Sequence, residues 1–144
     1  MFKHILIPVD GSPTAQKAVE TAAGLAKAFG SSVTAIYVID PYPFTGLGSD
    51  FAYGQAEYLS AAAIEAKEAT EAAQKALQQV GVSVNISVVE AHAAWRGILE
   101  TAAKVGADLI VMGSHGRRGL QRLLLGSQSH NVLNRTEVSV MVCR

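Results

Sequence analysis

Short apolar runs of strand length alternate along this chain with longer stretches of helical period, and this alternation limits the possible fold more than any other feature. Ile5, Leu6, Ile7 and Val9 form a nearly continuous apolar run, as a parallel strand covered on both faces requires. Pro8 near its end suits a strand about to stop. Asp10-Gly11-Ser12-Pro13 reads as a turn into a helix, with Ser12 as N-cap and Pro13 in the first turn, where its missing N–H costs nothing. In the helix that follows, to Phe29, residues Ala15, Ala18, Val19, Ala22, Leu25, Ala26 and Phe29 keep the three-and-four spacing of one buried stripe, and Gly30 ends it.

The same grammar repeats. Ser32 to Val38 is a second strand, closed by Ile39-Asp40-Pro41. Pro41 to Gln55 holds prolines, glycines and aromatics without a period. It reads as a loop, in which Phe44, Phe51 and Tyr53 either cover the core or form a lid or partner contact. Glu57 to Val80 is an alanine-rich helix, its small residues suited to close packing on a sheet, with Gly81 as its cap. Val82 to Val89 alternates apolar and polar residues, as a half-exposed edge strand does. Trp95 to Val105 is a third helix, Asp108 to Met112 a fourth strand, Ser127 to Asn134 a fourth helix and Val138 to Cys143 a last strand. This order predicts an α/β fold: one doubly wound, Rossmann-like parallel sheet of five strands flanked by four helices, with right-handed crossovers. At 144 residues one domain over 1–144 suffices.

In such sheets ligands bind beyond the carboxyl ends of the strands, where the strand order reverses. Asp10, Asp40 and Gly113 all follow strands at that edge. From Gly113 the chain runs GSHGRRGLQRLLLGSQS, a glycine-spaced loop entering a Ser-rich helix start. Glycines without Cβ let backbone N–H groups approach a ligand, and a helix N-terminus adds unpaired donors and the positive end of its dipole. Arg117, Arg118 and Arg122 bring charge, and Ser127 and Ser129 bring hydroxyls at the point where phosphate oxygens would sit. The loop lacks the Lys-Ser/Thr of a P-loop and the spacing of the dinucleotide fingerprint.

Gly113, Gly116, Gly126 and Ser127 form a G-x-x-G, nine residues, G-S pattern that resembles the ATP-binding motif of the universal stress protein family. The resemblance extends through Pro8-Val9-Asp10-Gly11-Ser12 and Tyr37 to Asp40 to the closing strand. It implies ATP as ligand, with or without magnesium, bound by Pro8, Val9, Asp10, Val38, Met112, Gly113, His115, Gly116, Arg117, Gly126, Ser127, Gln128 and Ser129. The backbone at Pro8, Val9 and Val38 would meet the adenine, and Asp10 the ribose or a magnesium-bound phosphate. It also implies a homodimer joined through the last strand by Val138, Val140 and Val142. Two residues depart from the family pattern. Thr136-Glu137 replaces a Cys-Pro-like turn, which bears on how the last strand is entered, and Gln128 replaces a small apolar residue, which weakens binding if its side chain crosses the cradle.

The remaining features narrow the function. Formal net charge is zero and charged residues are 17% of the chain, so neither a nucleic acid nor a membrane surface is expected as partner. Cys143 is the single cysteine, leaving no intramolecular disulfide. With no leader-like start and no apolar run of the ~20 residues a membrane helix needs, a cytoplasmic protein is expected. Ser114 and His115 are a poor nucleophilic pair, because neighbouring loop residues seldom place a hydroxyl on an imidazole and G-x-S-x-G is missing. The four histidines share no metal-ligand spacing. No catalytic residue is assigned. At most a slow ATPase is expected, since no general base flanks the phosphate loop, and the H-x-G-H and S-G-G-x-D-S signatures of adenylyl-transferring enzymes are missing. The picture is a nucleotide-dependent stress-response sensor or switch whose loop from Arg117 to Leu125 changes with occupancy and meets a protein partner. The alternatives are a dimerisation and interaction module that does not bind nucleotide, or a slow ATPase or nucleotidyl-transferring enzyme.

Overall fold

The computed structural model describes residues 1–41, 49–116 and 125–144, with the side chains of 49–53 excepted. The elements are β1 (His4–Pro8), α1 (Pro13–Phe29), β2 (Ser32–Ile39), α2 (Ser49–Gln79), β3 (Val84–Glu90), α3 (Ala94–Val105), β4 (Leu109–Gly113), α4 (Ser127–Arg135) and β5 (Ser139–Cys143). All pairings are parallel, in the order β3-β2-β1-β4-β5. The α/β reading is therefore correct, including the edge position of β3. The strand order reverses between β1 and β4, which sets the crevice above that pair.

Side-chain alternation in β1 shows why the strand is apolar throughout. Ile5 and Ile7 join Val33, Ala35, Leu109 and Val111 under α1 and α2, whereas Leu6 joins Ile36, Ile110 and Met112 under α3 and α4. Leu6 and Ile110 are fully buried, and each such side chain contributes roughly 1.5–3 kcal/mol through its burial. On α2, Ala66, Thr70, Ala73 and Leu77 face this core. Their small size lets the helix lie close to β2, β3 and α1. The alanines thus serve sheet packing, as expected.

Two boundaries differ from expectation by more than one residue. The stretch read as a loop to Gln55 is helical from Ser49. Gly54, a poor helix former, and the missing apolar period hid this first part of α2. Residues 42–48 lie outside the described residues, as do the side chains of Phe51 and Tyr53, so the lid expectation falls outside the described structure. At β3, Val82 is buried but precedes the strand, which begins at Val84.

Local chemistry holds each connection. Ser12 caps α1 by accepting the Ala15 N–H at 3.2 Å, with Pro13 inside the first turn. Gly30 closes the helix at φ 66°, a conformation that favours glycine. Asp108 stitches the amino end of the sheet, accepting from the Lys3 N–H at 3.1 and 2.9 Å and from the His4 N–H at 3.0 Å. The Lys3 N–H, then the His4 N–H, hold its carboxyl below the usual carboxylate range. Thr136, the departure noted above, ends α4 through its N–H to the Val132 carbonyl at 3.0 Å. Its hydroxyl oxygen accepts the Val138 N–H at 3.0 Å. A threonine hydroxyl here does the turning, and β5 is entered in register with β4.

Candidate functional site

Three chain segments meet at the carboxyl edge of β1 and β4. The turn after β1 is fixed by Asp10, whose Oδ1 accepts the Ser12 N–H at 2.9 Å. Behind it, the first turn of α1 holds the glycine loop: the Thr14 hydroxyl donates to the His115 carbonyl at 2.7 Å. Gly113 passes so close to α1 that a Cβ there would lie 2.8 Å from the Thr14 carbonyl carbon and 2.9 Å from the Ala15 nitrogen. The far end of the loop returns through the Gly126 N–H to the Ser114 carbonyl at 2.6 Å. A Cβ on Gly116 would stand 3.0 Å from Asp10 Oδ2, and one on Gly126 3.0 Å from the Ser114 oxygen. Close backbone approach therefore requires the glycine at Gly113, while at Gly116 and Gly126 an added Cβ would make its neighbour give way; none of the three has a positive φ.

Together the segments enclose a cavity of about 510 Å³, within the range of small-molecule sites. Of the residues expected to bind nucleotide, Pro8, Val9, Asp10, Val38, Met112, Gly113, His115, Gly116, Gly126, Ser127, Gln128 and Ser129 all line it. Arg117 lies outside the described residues. The lining is mixed: Val9, Val38, Ile98 and Met112 are apolar, and Asp10, Ser127, Gln128 and Ser129 are polar. Tyr37 and Tyr58 line it too. Sequence reasoning missed Tyr58 because nothing in an alanine-rich period marks which residue overhangs the sheet edge. It missed Ala94 and Ile98 because the α3 start carries no motif.

α4 opens on Gly126, which has no side chain to cap the helix. The first-turn N–H groups of Ser127, Gln128 and Ser129 have no intrahelical partner, and their residues face the cavity. Two expectations about side chains need correction. Ser129 is buried and its hydroxyl donates to the Gly113 carbonyl at 2.9 Å, so this donor is spent on holding the loop rather than offered to a ligand. Ser114 Oγ and His115 Nδ1 are 2.7 Å apart, despite the rule that neighbours seldom pair. Ser114 is 2% exposed, so its hydroxyl orients the ring and does not reach a substrate. His115 Nε2 is buried without a hydrogen-bond partner among the described residues.

Gln128 does not reach across the cradle: its Oε1 accepts the Trp95 N–H at 2.9 Å. Among the described residues, no three of the types His, Cys, Asp and Glu gather to hold a metal ion. No helix among them is long and apolar enough to cross a membrane.

A model of the universal stress protein family matches residues 1–144. The universal stress protein MJ0531 of Methanocaldococcus jannaschii is 38% identical over 145 residues, which cover 100% of this chain and 83% of that protein. The universal stress protein UspA of Lactobacillus plantarum superposes with a TM-score of 0.85 at 27% identity, covering 99% of this chain and 97% of the other. A universal stress protein of Archaeoglobus fulgidus, solved in complex with dAMP, shares the fold at a TM-score of 0.71 and 21% identity, covering 100% and 98%.

Proposed function

The chain belongs to the universal stress protein family, and on that footing we propose that it binds ATP in the crevice between β1 and β4 and acts as a cytoplasmic nucleotide-dependent stress-response switch. The observation that carries this reading is the uncapped start of α4 at Gly126, whose first-turn residues line a cavity that Asp10 and Gly116 also line. Unpaired N–H groups and the helix dipole favour a polyanion there. The apolar lining, with Val9, Val38 and Met112, suits a purine. Asp10 lines the same cavity and is assigned to ribose hydroxyls or a magnesium-bound phosphate. Ser127, exposed at the helix start, offers a hydroxyl, and Arg117 adds charge beside the loop. The dAMP of the Archaeoglobus protein belongs to that protein and names the class of ligand to try first.

Turnover is slow or nil in this reading. Of the two carboxylates that line the cavity among the described residues, Asp10 and Asp40, Asp10 has one oxygen committed to the Ser12 N–H, and fast phosphoryl transfer needs a positioned nucleophile and fixed positive charge together. The whole of 1–144 acts as one domain and pairs with a second copy through β5, and occupancy reshapes the segment from Arg117 to Leu125 that meets a protein partner. The test is thermal unfolding of nucleotide-free protein. A ligand that binds only the folded state raises the midpoint with its concentration. ATP is expected to do so, GTP far less, and ATP to alter the protease cleavage pattern within 117–125. Equal midpoints with and without ATP, at concentrations up to millimolar, would contradict the reading.

A further inference from the structure

α3 begins without a cap of its own. Its N-cap residue is Ala93, which makes no side-chain hydrogen bond to the first turn, so one of the orphan donors that every helix start leaves must be met from elsewhere. It is met from α4: Gln128 Oε1 accepts the Trp95 N–H at 2.9 Å. The donor is the second residue of α3 and the acceptor the second residue of α4. The two helix starts are thereby tied to each other at the mouth of the crevice, and both line it, α3 through Ala94 and Ile98 and α4 through Ser127 and Gln128.

Two further contacts make this tie mechanically significant. Arg135, at the other end of α4, lies 4.5 Å from the centroid of the Trp95 ring, so α4 is held to α3 at both of its ends. Gly97 lets α3 approach β2 so closely that a Cβ would be 2.8 and 2.9 Å from the two methyl carbons of Val38, which itself lines the cavity. The position of α3 is thus set by β2 on one side and by α4 on the other. The Gln128–Trp95 bond is the side-chain hydrogen bond that joins the two helix starts, and it contributes to the gap between the apolar lining and the α4 start.

We propose that Gln128 is a positioning residue for the ligand: by capping α3 from α4 it holds the two helix starts at the separation at which a nucleotide can meet the apolar lining and the α4 N–H groups together. The proposal rests on the reading of the crevice as an ATP site. It predicts that nucleotide binding and the Trp95 hydrogen bond reinforce each other.

The experiment titrates ATP into wild-type protein, Gln128→Leu and Gln128→Glu, and follows hydrogen exchange of the Trp95 amide in each. Leucine keeps the bulk and removes the acceptor, and glutamate keeps an acceptor oxygen. The expected result is a Kd for Gln128→Leu raised roughly five- to twentyfold, the scale of one lost hydrogen bond to a backbone donor. The Trp95 amide would exchange faster in that variant and ATP would no longer protect it, while Gln128→Glu keeps the protection of the wild type. A Gln128→Leu protein that binds ATP as tightly as wild type while its Trp95 amide is deprotected would reduce the bond to an ordinary helix cap and overturn the proposal. Unchanged Trp95 protection in Gln128→Leu would overturn it as well. Failure of wild-type protein itself to bind ATP is a separate outcome, and removes the nucleotide reading together with the proposal built on it.

Discussion

The carboxylate of Asp10 lies against Gly116, so that a Cβ on the glycine would be 3.0 Å from Oδ2. This contact joins the turn after β1 to the loop after β4, and it leaves the acid little freedom because its other oxygen accepts the Ser12 N–H. Gly116→Ala is expected to displace Asp10 while leaving the core untouched, and to weaken ATP binding by about tenfold, the equivalent of ~1.4 kcal/mol. Binding isotherms measured alongside thermal midpoints check this. An unchanged Kd would show that the Asp10–Gly116 approach does not shape the site.

Gly113 behaves differently. An added Cβ would meet the backbone of Thr14 and Ala15 at 2.8 and 2.9 Å, atoms that cannot rotate away. Gly113→Ala should therefore destabilise the fold by about 1–3 kcal/mol, as overpacking does, by pushing α1 from β4. Urea denaturation reads this directly, and a wild-type midpoint would contradict it.

Asp108 contributes pH-dependent stability. Its carboxyl is held below the ordinary range by the Lys3 and His4 N–H groups. The group is therefore ionised in the folded state at pH values where it is protonated in the unfolded chain. Its contribution is fully present above the unfolded-state carboxylate range and is lost as pH falls through the lower folded-state value. Asp108→Asn should be less stable than wild type at neutral pH, and the difference should shrink in acid. A difference independent of pH, in urea midpoints collected across the acid limb, would contradict this.

β5 is an edge strand paired only with β4, and Met141 on it is 36% exposed. Exposed edges invite pairing, and a twofold contact between copies satisfies both partners at once. Light scattering at micromolar concentration should give the dimer mass, and Val142→Arg should shift it toward the monomer. A monomer mass for wild type would exclude β5 as a clasp.

Most of the fold was legible because the strands show apolar runs, or in β3 an alternation, and the long helices a buried stripe. Ile5 to Ile7 could only be a strand covered on both faces, and Ser12-Pro13 could only open a helix. The start of α2 was not legible: Gly54 disfavours helix locally, and the segment shows no apolar period. At the site, Asp10 and the glycines were readable because close backbone approach favours a residue type. The partners of hydroxyls and amides were not, since Ser129 chooses the Gly113 carbonyl and Gln128 the Trp95 N–H, choices made by tertiary proximity that no spacing encodes. Tyr58 was missed for the same reason.

The most direct test of the central claim is calorimetric titration of nucleotide-stripped wild-type protein with ATP, with and without magnesium. The account predicts saturable binding at one site per chain, with adenosine binding more weakly for want of the phosphates that meet the α4 start. No heat and no saturation with ATP, in protein shown to be folded, would contradict it.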